Sequence, residues 1–251
     1  MRWRQTQSPS WWTPFPGAST VEEASEHPRR KPPVGPSSVS LPRRALLLGA
    51  ASLSLALPAQ AALPLIVLQP LGAAIPPAEL EAVSAAISAF YAVQLSVAPT
   101  LELPKSAFYP KRQRYRAEKL LSYLVANARA DARVVLGLTA VDISTTKGPH
   151  EDWGILGLAT LDGRSAVLSS FRCKRAARSA AHARTRFAKT AVHELGHSFG
   201  LDHCPTPGCI MHDGEGSVLT TDTEDDLCSQ TRAHLTAAGV LKPRALSPFT
   251  H

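Results

Sequence analysis

Short apolar runs separated by turn residues outline most of the chain. LPLIVLQPLG, residues 63–72, is bounded by proline and glycine and predicts a buried strand. After Pro77, which suits a first helical turn, Leu80, Val83, Ile87 and Phe90 with Tyr91 recur at helical spacing. Glu79 and Glu81 stand where the positive end of that helix favours acids. Gln94 to Val97 returns as a strand. From Lys111 the pattern KRQRYRAEKLLSYLVANA puts Leu121, Leu124, Val125 and Ala128 on one face and charges on the other, an amphipathic helix whose basic start reads as solvated surface. VVLGLTAVDI, residues 134–143, is a continuous apolar run of the kind found in a central strand covered on both faces. Gly148 to Asp152 reads as a loop. Strands around 154–160 and 166–170 follow, joined by Leu161-Asp162-Gly163-Arg164, because Asp-Gly readily takes a primed hairpin turn. Ala188 to Phe199 is a helix with one buried face. GEGS after Met211 is a loop, Thr220 or Asp222 caps a last helix through about Ala238, and Gly239 ends it. The tail after Lys242, with two prolines, reads as unstructured. The expected fold is an α/β domain, α+β mixed, over residues 62–251: a twisted mixed sheet above the Ala188 to Phe199 helix, with a smaller helical part after Gly200.

The first 61 residues follow other rules. Residues 1–40 are rich in proline, serine and charge without an apolar period, and read as disordered or as an extension ahead of a downstream start. Residues 41–61, LPRRALLLGAASLSLALPAQA, have the order of a signal peptide: two arginines, an apolar run from Ala45 to Leu57, then Ala59-Gln60-Ala61. That run is short for a membrane span of about 20 residues, and Pro58 interrupts it. Arg43-Arg44 before a small residue and leucines resembles a twin-arginine export signal. The alternatives are a retained anchor helix and an ordinary secretory signal. The expectation is an exported protein, periplasmic or secreted, with no stable membrane association once the signal is removed.

Charge adds little. Removing residues 1–61 leaves a formal +3 of the +7 carried by the whole chain, which is no argument for nucleic acid. The stretch between Gly163 and His193 is basic and free of acids, with Arg172, Lys174 and Arg175 nearest the second strand of the hairpin. It reads either as a preference for acidic or carboxylate-ended substrates or, more simply, as the solvated flank of a helix.

The chemistry concentrates in HELGHSFGLDHCPTPGCIM, residues 193–211. His193 and His197 stand four residues apart on the helix, so one turn brings both imidazoles to the same side. Two nitrogens can then converge on one ion at roughly 2.0–2.1 Å, the usual zinc distance. Glu194 leans beside that ion, where a carboxylate can move protons. Gly200 tolerates the positive φ needed to stop the helix and swing His203 back as a third ligand. A bare HExxH also arises as a helix with two incidental histidines. HExxHxxGxxH, fixing three ligands, a base and a turn residue, with Met211 eight residues on, is far more demanding.

These residues resemble the metzincin metallopeptidases, and within them the archaemetzincins. The latter likeness lies in Cys204 directly after the third histidine, then Cys209 and Met211, giving HCxxxxCxM. VLGLTAVDI, GILGLA and AVLSSFR are similar to the strands that precede the active helix in that family, so the resemblance covers about residues 63–240. It implies a metzincin-like zincin fold, a catalytic Zn²⁺ on His193, His197 and His203, Glu194 as the base acting on zinc-bound water, and Met211 as the floor of the site. It also implies a peptide or protein substrate bound along an edge strand at the 154–170 hairpin. Archaemetzincins carry a second zinc on four cysteines, the last two in a CxxC. Here that place reads Cys228-Ser229-Gln230-Thr231, so Cys204, Cys209 and Cys228 stand one ligand short. His212, His234, Cys173 or a water can close such a set; otherwise two cysteines pair as a disulfide or stay free. The reading is a zinc-dependent peptidase. Its rivals are another secreted metzincin, disfavoured by the cysteine spacing, and a zinc-containing peptide-binding protein without turnover, against which the intact Glu194 argues.

Overall fold

Val134 to Thr139 is buried at every position and forms β5, the middle strand of a five-stranded sheet in the computed structural model, which describes residues 62–250. The disordered-extension and signal readings of residues 1–61 lie outside the described residues, which fall in one compact unit. Around β5 the sheet runs β2 (Gln94–Val97), β1 (Leu65–Pro70), β5, β9 (Ser165–Ser169) and β8 (Gly157–Ala159). The first four strands are parallel, and β8 is an antiparallel edge hairpinned onto β9.

Side chains alternate across this sheet and build two cores. Ile66, Leu68, Val134, Leu136, Leu138 and Leu168 face helix α1 (Pro77–Phe90) and the long α4 (Ala180–Ser198). Val67, Val135 and Val167 face α2 (Ala117–Ala126) through Leu120 and Leu124. Each such leucine or isoleucine contributes roughly 1.5–3 kcal/mol by leaving water. Gly137 has no side chain because Leu124 and Leu71 fill its place from that second face. The Tyr91 hydroxyl donates to the Val192 carbonyl at 2.8 Å and ties the end of α1 to the middle of α4.

A second sheet runs β3 (Phe108–Tyr109), β4 (Arg114–Arg116), β6 (Ile143–Lys147) and β7 (His150–Ile155). It corrects three expectations. The run 134–143 is two strands in different sheets, broken at Ala140 to Asp142. Gly148 to Asp152 supplies a tight turn and the start of β7. The basic start of the 111–128 helix is a short 3-10 turn and strand β4, and α2 begins only at Ala117. One network accounts for this: Asp142 is bonded by Arg114 at 2.7 Å and by Arg172 at 2.7 Å, and Arg114 also reaches Asp152 at 2.9 Å. Arg114 is only 12 % exposed, so it is no solvated surface residue.

The part after Gly200 is smaller than expected. Thr220 to Asp222 is a 3-10 turn, and α5 spans only Ser229–Ala237 with Cys228 as its N-cap. The tail after Lys242 is packed: Lys242 N–H donates to the Phe90 carbonyl at 2.8 Å, and the Phe249 ring lies 6.3 Å from that of Phe90. The two prolines misled because the apolar Ala245 and Phe249 beside them have a surface to cover. Among the described residues no helix is long and apolar enough to cross a membrane.

Candidate metal centre

Helix α4 begins eight residues before the expected Ala188, where the Ser179 hydroxyl accepts from His182 N–H at 3.0 Å. Its early turns are anchored from below. Arg186, 1 % exposed, forks onto Asp222 with two 2.7 Å bonds, and Lys189 reaches Asp225 at 2.6 Å. With Arg172 on Asp142, three basic residues of the stretch are thus bound internally, which neither expected reading foresaw, while Lys174, Arg175 and Arg178 are exposed as a solvated flank requires.

At its other end α4 stops in a glycine turn. Gly200 has φ +85°, Gly200 N–H donates to the His197 carbonyl at 2.9 Å and Leu201 N–H to the Gly196 carbonyl at 3.0 Å, the paired bonds of a Schellman motif. The turn aims the Leu201 carbonyl back at the helix, where His197 Nδ1 donates to it at 2.6 Å. His193 Nδ1 makes the equivalent 2.6 Å bond to the Ile210 carbonyl. Both Nδ1 atoms therefore carry hydrogen, which leaves both Nε2 atoms as bare lone pairs. These two lone pairs face each other at 3.0 Å. They repel unless a cation lies between them.

His203 completes the set, with a ligand nitrogen within 4.8 Å of the other two. It is 43 % exposed, and its Nδ1 lies 3.7 Å from an Asp213 carboxylate oxygen. Burial depresses all three imidazoles, His193 strongly and His197 to about 4, helped by their neighbouring rings. They are neutral at ordinary pH, the form that binds a metal. Three neutral imidazole donors, two of them with tautomers fixed by carbonyls, fit a zinc ion.

Glu194 lies 5 % exposed next to His193, and burial pushes its carboxyl up to about 8. Its carboxylate fills the space beside Gly157 on β8. Met211, fully buried, packs its sulfur against Gly196 between the two helix histidines. Its carbonyl accepts from Cys204 N–H at 2.7 Å, closing the 204–211 loop under His203. Gly157, Gly196, Asp213 and the Ile210 and Leu201 carbonyls escaped the sequence reading. Only the Leu201 carbonyl had a signal, the glycine before it.

Behind the histidines, Cys204, Cys209 and Cys228 converge with sulfurs within 4.8 Å. The proposed fourth partners are engaged elsewhere: His234 faces the Phe199 carbonyl at 3.2 Å, His212 faces Glu224 at 3.2 Å, and Cys173 donates to Ser169 at 3.6 Å.

A mixed sheet above a helix bearing HExxH, with a third histidine beyond a glycine turn, defines a zinc-dependent metallopeptidase. The model of peptidase family M54 matches residues 71–235. An archaemetzincin of Pyrococcus abyssi is 33% identical over 169 residues, covering 63% of this chain and 86% of its own. One from Haloquadratum walsbyi is 28% identical over 152 residues, covering 58% and 84%. Among solved structures, archaemetzincin from Methanopyrus kandleri superposes with a TM-score of 0.59 at 27% identity, over 70% of this chain and 95% of that one. The Archaeoglobus fulgidus protein, complexed with malonate, gives 0.57 at 27% identity over 68% and 99%. The chain belongs to peptidase family M54, the archaemetzincin metallopeptidases.

Proposed function

We propose that the chain hydrolyses peptide bonds with His193, His197 and His203 holding the zinc and Glu194 carrying the proton. The observation behind this reading is the pair of Nε2 lone pairs 3.0 Å apart, each set by a carbonyl on its Nδ1. When bound, zinc supplies a Lewis acid that polarises the scissile carbonyl and acidifies water. Burial alone keeps the Glu194 carboxyl protonated, and a cation on the histidines would favour its ionised form; in that form Glu194 takes a proton from the attacking water and returns it to the departing nitrogen. Its low exposure keeps bulk water from competing for that proton.

Among the described residues the outer edge of β8 pairs with no strand, which suits the addition of an extended peptide. Gly157, without a side chain, brings such a peptide close to the Glu194 carboxylate. Main-chain pairing places the scissile bond; it does not by itself select side chains.

Peptide cleavage by the wild-type chain and Glu194→Gln, with zinc content measured on both, tests this. The expected result is a loss of about 10²–10⁴-fold in turnover at unchanged zinc. Equal cleavage by both proteins removes Glu194 from the mechanism.

Export is a separate proposal, supported by Arg43-Arg44 and the apolar run after them. Replacing both arginines by lysine is expected to retain the protein in the cytoplasm on cell fractionation. Unaltered export would sink the twin-arginine assignment.

A further inference from the structure

Backbone carbonyls aim two of the three histidines. The Leu201 and Ile210 carbonyls, each 2.6 Å from an Nδ1, set the rings of His197 and His193. His203 is the exposed one of the three, and its Nδ1 faces a side chain instead, with Asp213 Oδ2 at 3.7 Å. That separation is too long for a hydrogen bond. It exceeds the charge-assisted N–H···O distance of about 2.7–2.9 Å by roughly 0.8–1.0 Å, a gap that a small rotation of an exposed ring closes.

The carboxylate is held where it can meet the ring. Its other oxygen, Oδ1, accepts from Glu215 N–H at 2.8 Å, so Oδ2 is the one turned to His203. The next residues form a tight turn: Glu215 and Gly216 have φ of +47° and +79°, and Ser217 N–H donates to the Gly214 carbonyl at 2.7 Å. Two successive positive φ angles under that bond make a type I′ turn. The turn is braced from both sides. A β-carbon at Gly216 would lie 2.6 Å from Trp153 Nε1, so glycine lets the loop close on β7, and Thr220 Oγ1 donates to the Ser217 carbonyl at 2.9 Å.

We propose that Asp213 is the positioning residue of the third ligand: its carboxylate accepts the Nδ1–H of His203, so that Nε2 is presented to zinc, and the contact tightens as the ion draws the ring inward. The inference rests on the three-histidine zinc reading. It gives His203 the same tautomer as the two helix histidines, through a different device. A hydrogen bond to a carboxylate is roughly twice as strong as one to a neutral carbonyl and makes the imidazole a better donor. It thereby offsets the exposure that leaves this ring the least packed of the three.

Zinc titration of the full chain, followed by nitrogen and proton NMR of the histidine rings, tests the assignment. The ring signals report binding at the histidines and not at the cysteines. In the zinc-loaded wild type the Nδ1–H of His203 should be visible and slow to exchange with water. Asp213→Ala should lose that proton to exchange and bind zinc at the histidines about 10- to 100-fold more weakly, with the His193 and His197 protons unchanged. Asp213→Asn, which keeps an acceptor but no charge, should fall between the two. An alanine variant that matches wild type in affinity and in the His203 proton overturns the proposal. So does one that only lowers the unfolding temperature of the zinc-free chain, the mark of a structural role alone. A wild type whose histidine signals do not respond to zinc sinks the three-histidine reading itself, and this inference with it.

Discussion

Gly157 on the edge strand and Glu194 on the long helix compete for one volume. A β-carbon on Gly157 would overlap the Glu194 carboxylate, so the bare backbone of β8 sets how far that side chain reaches toward the histidines. Gly157→Ala must push the carboxylate aside. A displacement of about 1 Å is enough to cost on the order of 10²-fold in rate, and the expected outcome is a fall of that size in kcat/KM. Zinc content should be unchanged, because no histidine contact is touched. Wild-type activity in Gly157→Ala would show that β8 does not position the glutamate.

Gly200 carries a second consequence of backbone geometry. Its φ of +85° costs an L-residue with a side chain roughly 1–2 kcal/mol, and the turn it makes delivers the Leu201 carbonyl to His197. Gly200→Ala should therefore lower the stability of the metal-free chain by about that amount. It should also weaken zinc binding by roughly 10- to 100-fold, the usual effect of disturbing a ligand's hydrogen-bond partner. Thermal unfolding and a zinc titration check the two separately. Lost stability with unaltered zinc affinity would mean that the carbonyl is not needed to hold the ring.

These two glycines mark what was legible in the sequence. Gly200 was readable because the turn it makes is local, set by its own φ and the spacing to His203. Gly157 was not, since its reason is a side chain from a distant helix. The strands β1, β2 and β9 and helix α1 followed from the apolar pattern, the expected 154–160 strand is divided between β7 and β8 in different sheets, and the three histidines come together as their spacing suggested. The failures share a cause. Arg114, Arg116 and Asp142 look like solvent-facing charges to any pattern reading, yet the half-buried Arg114 and the buried Asp142 share one ion network that splits the 134–143 run and turns the start of a helix into a strand.

Asp142 is the centre of that network. With a side chain 9 % exposed, it accepts from both Arg114 and Arg172. Asp142→Asn leaves the poorly hydrated Arg172 guanidinium short of its counter-charge, while Arg114 keeps Asp152, and a broken buried pair costs about 3–5 kcal/mol. Urea unfolding should register a loss in that range. A loss of less than about 1 kcal/mol, the usual worth of an exposed pair, would show that water reaches the cluster.

Asp222 offers a pH test apart from His193, His197 and His203. Arg186, with help from His182, holds its carboxyl well below the usual carboxylate range. In the unfolded chain the same group titrates near the ordinary value of about 3.9. Between the two values the unfolded state binds a proton that the native state does not, so stability falls as pH drops through that window. The contribution is fully present above about pH 5. Asp222→Asn lacks this linkage and leaves the buried Arg186 without its anion, at a cost of about 2–3 kcal/mol for lost charge-assisted bonds. The stability gap between wild type and variant, read from urea midpoints, should hold steady from about pH 7 to pH 5 and narrow below about pH 4. A gap that stays constant down to about pH 3 would show that Asp222 titrates alike in both states and does not anchor α4 through its charge.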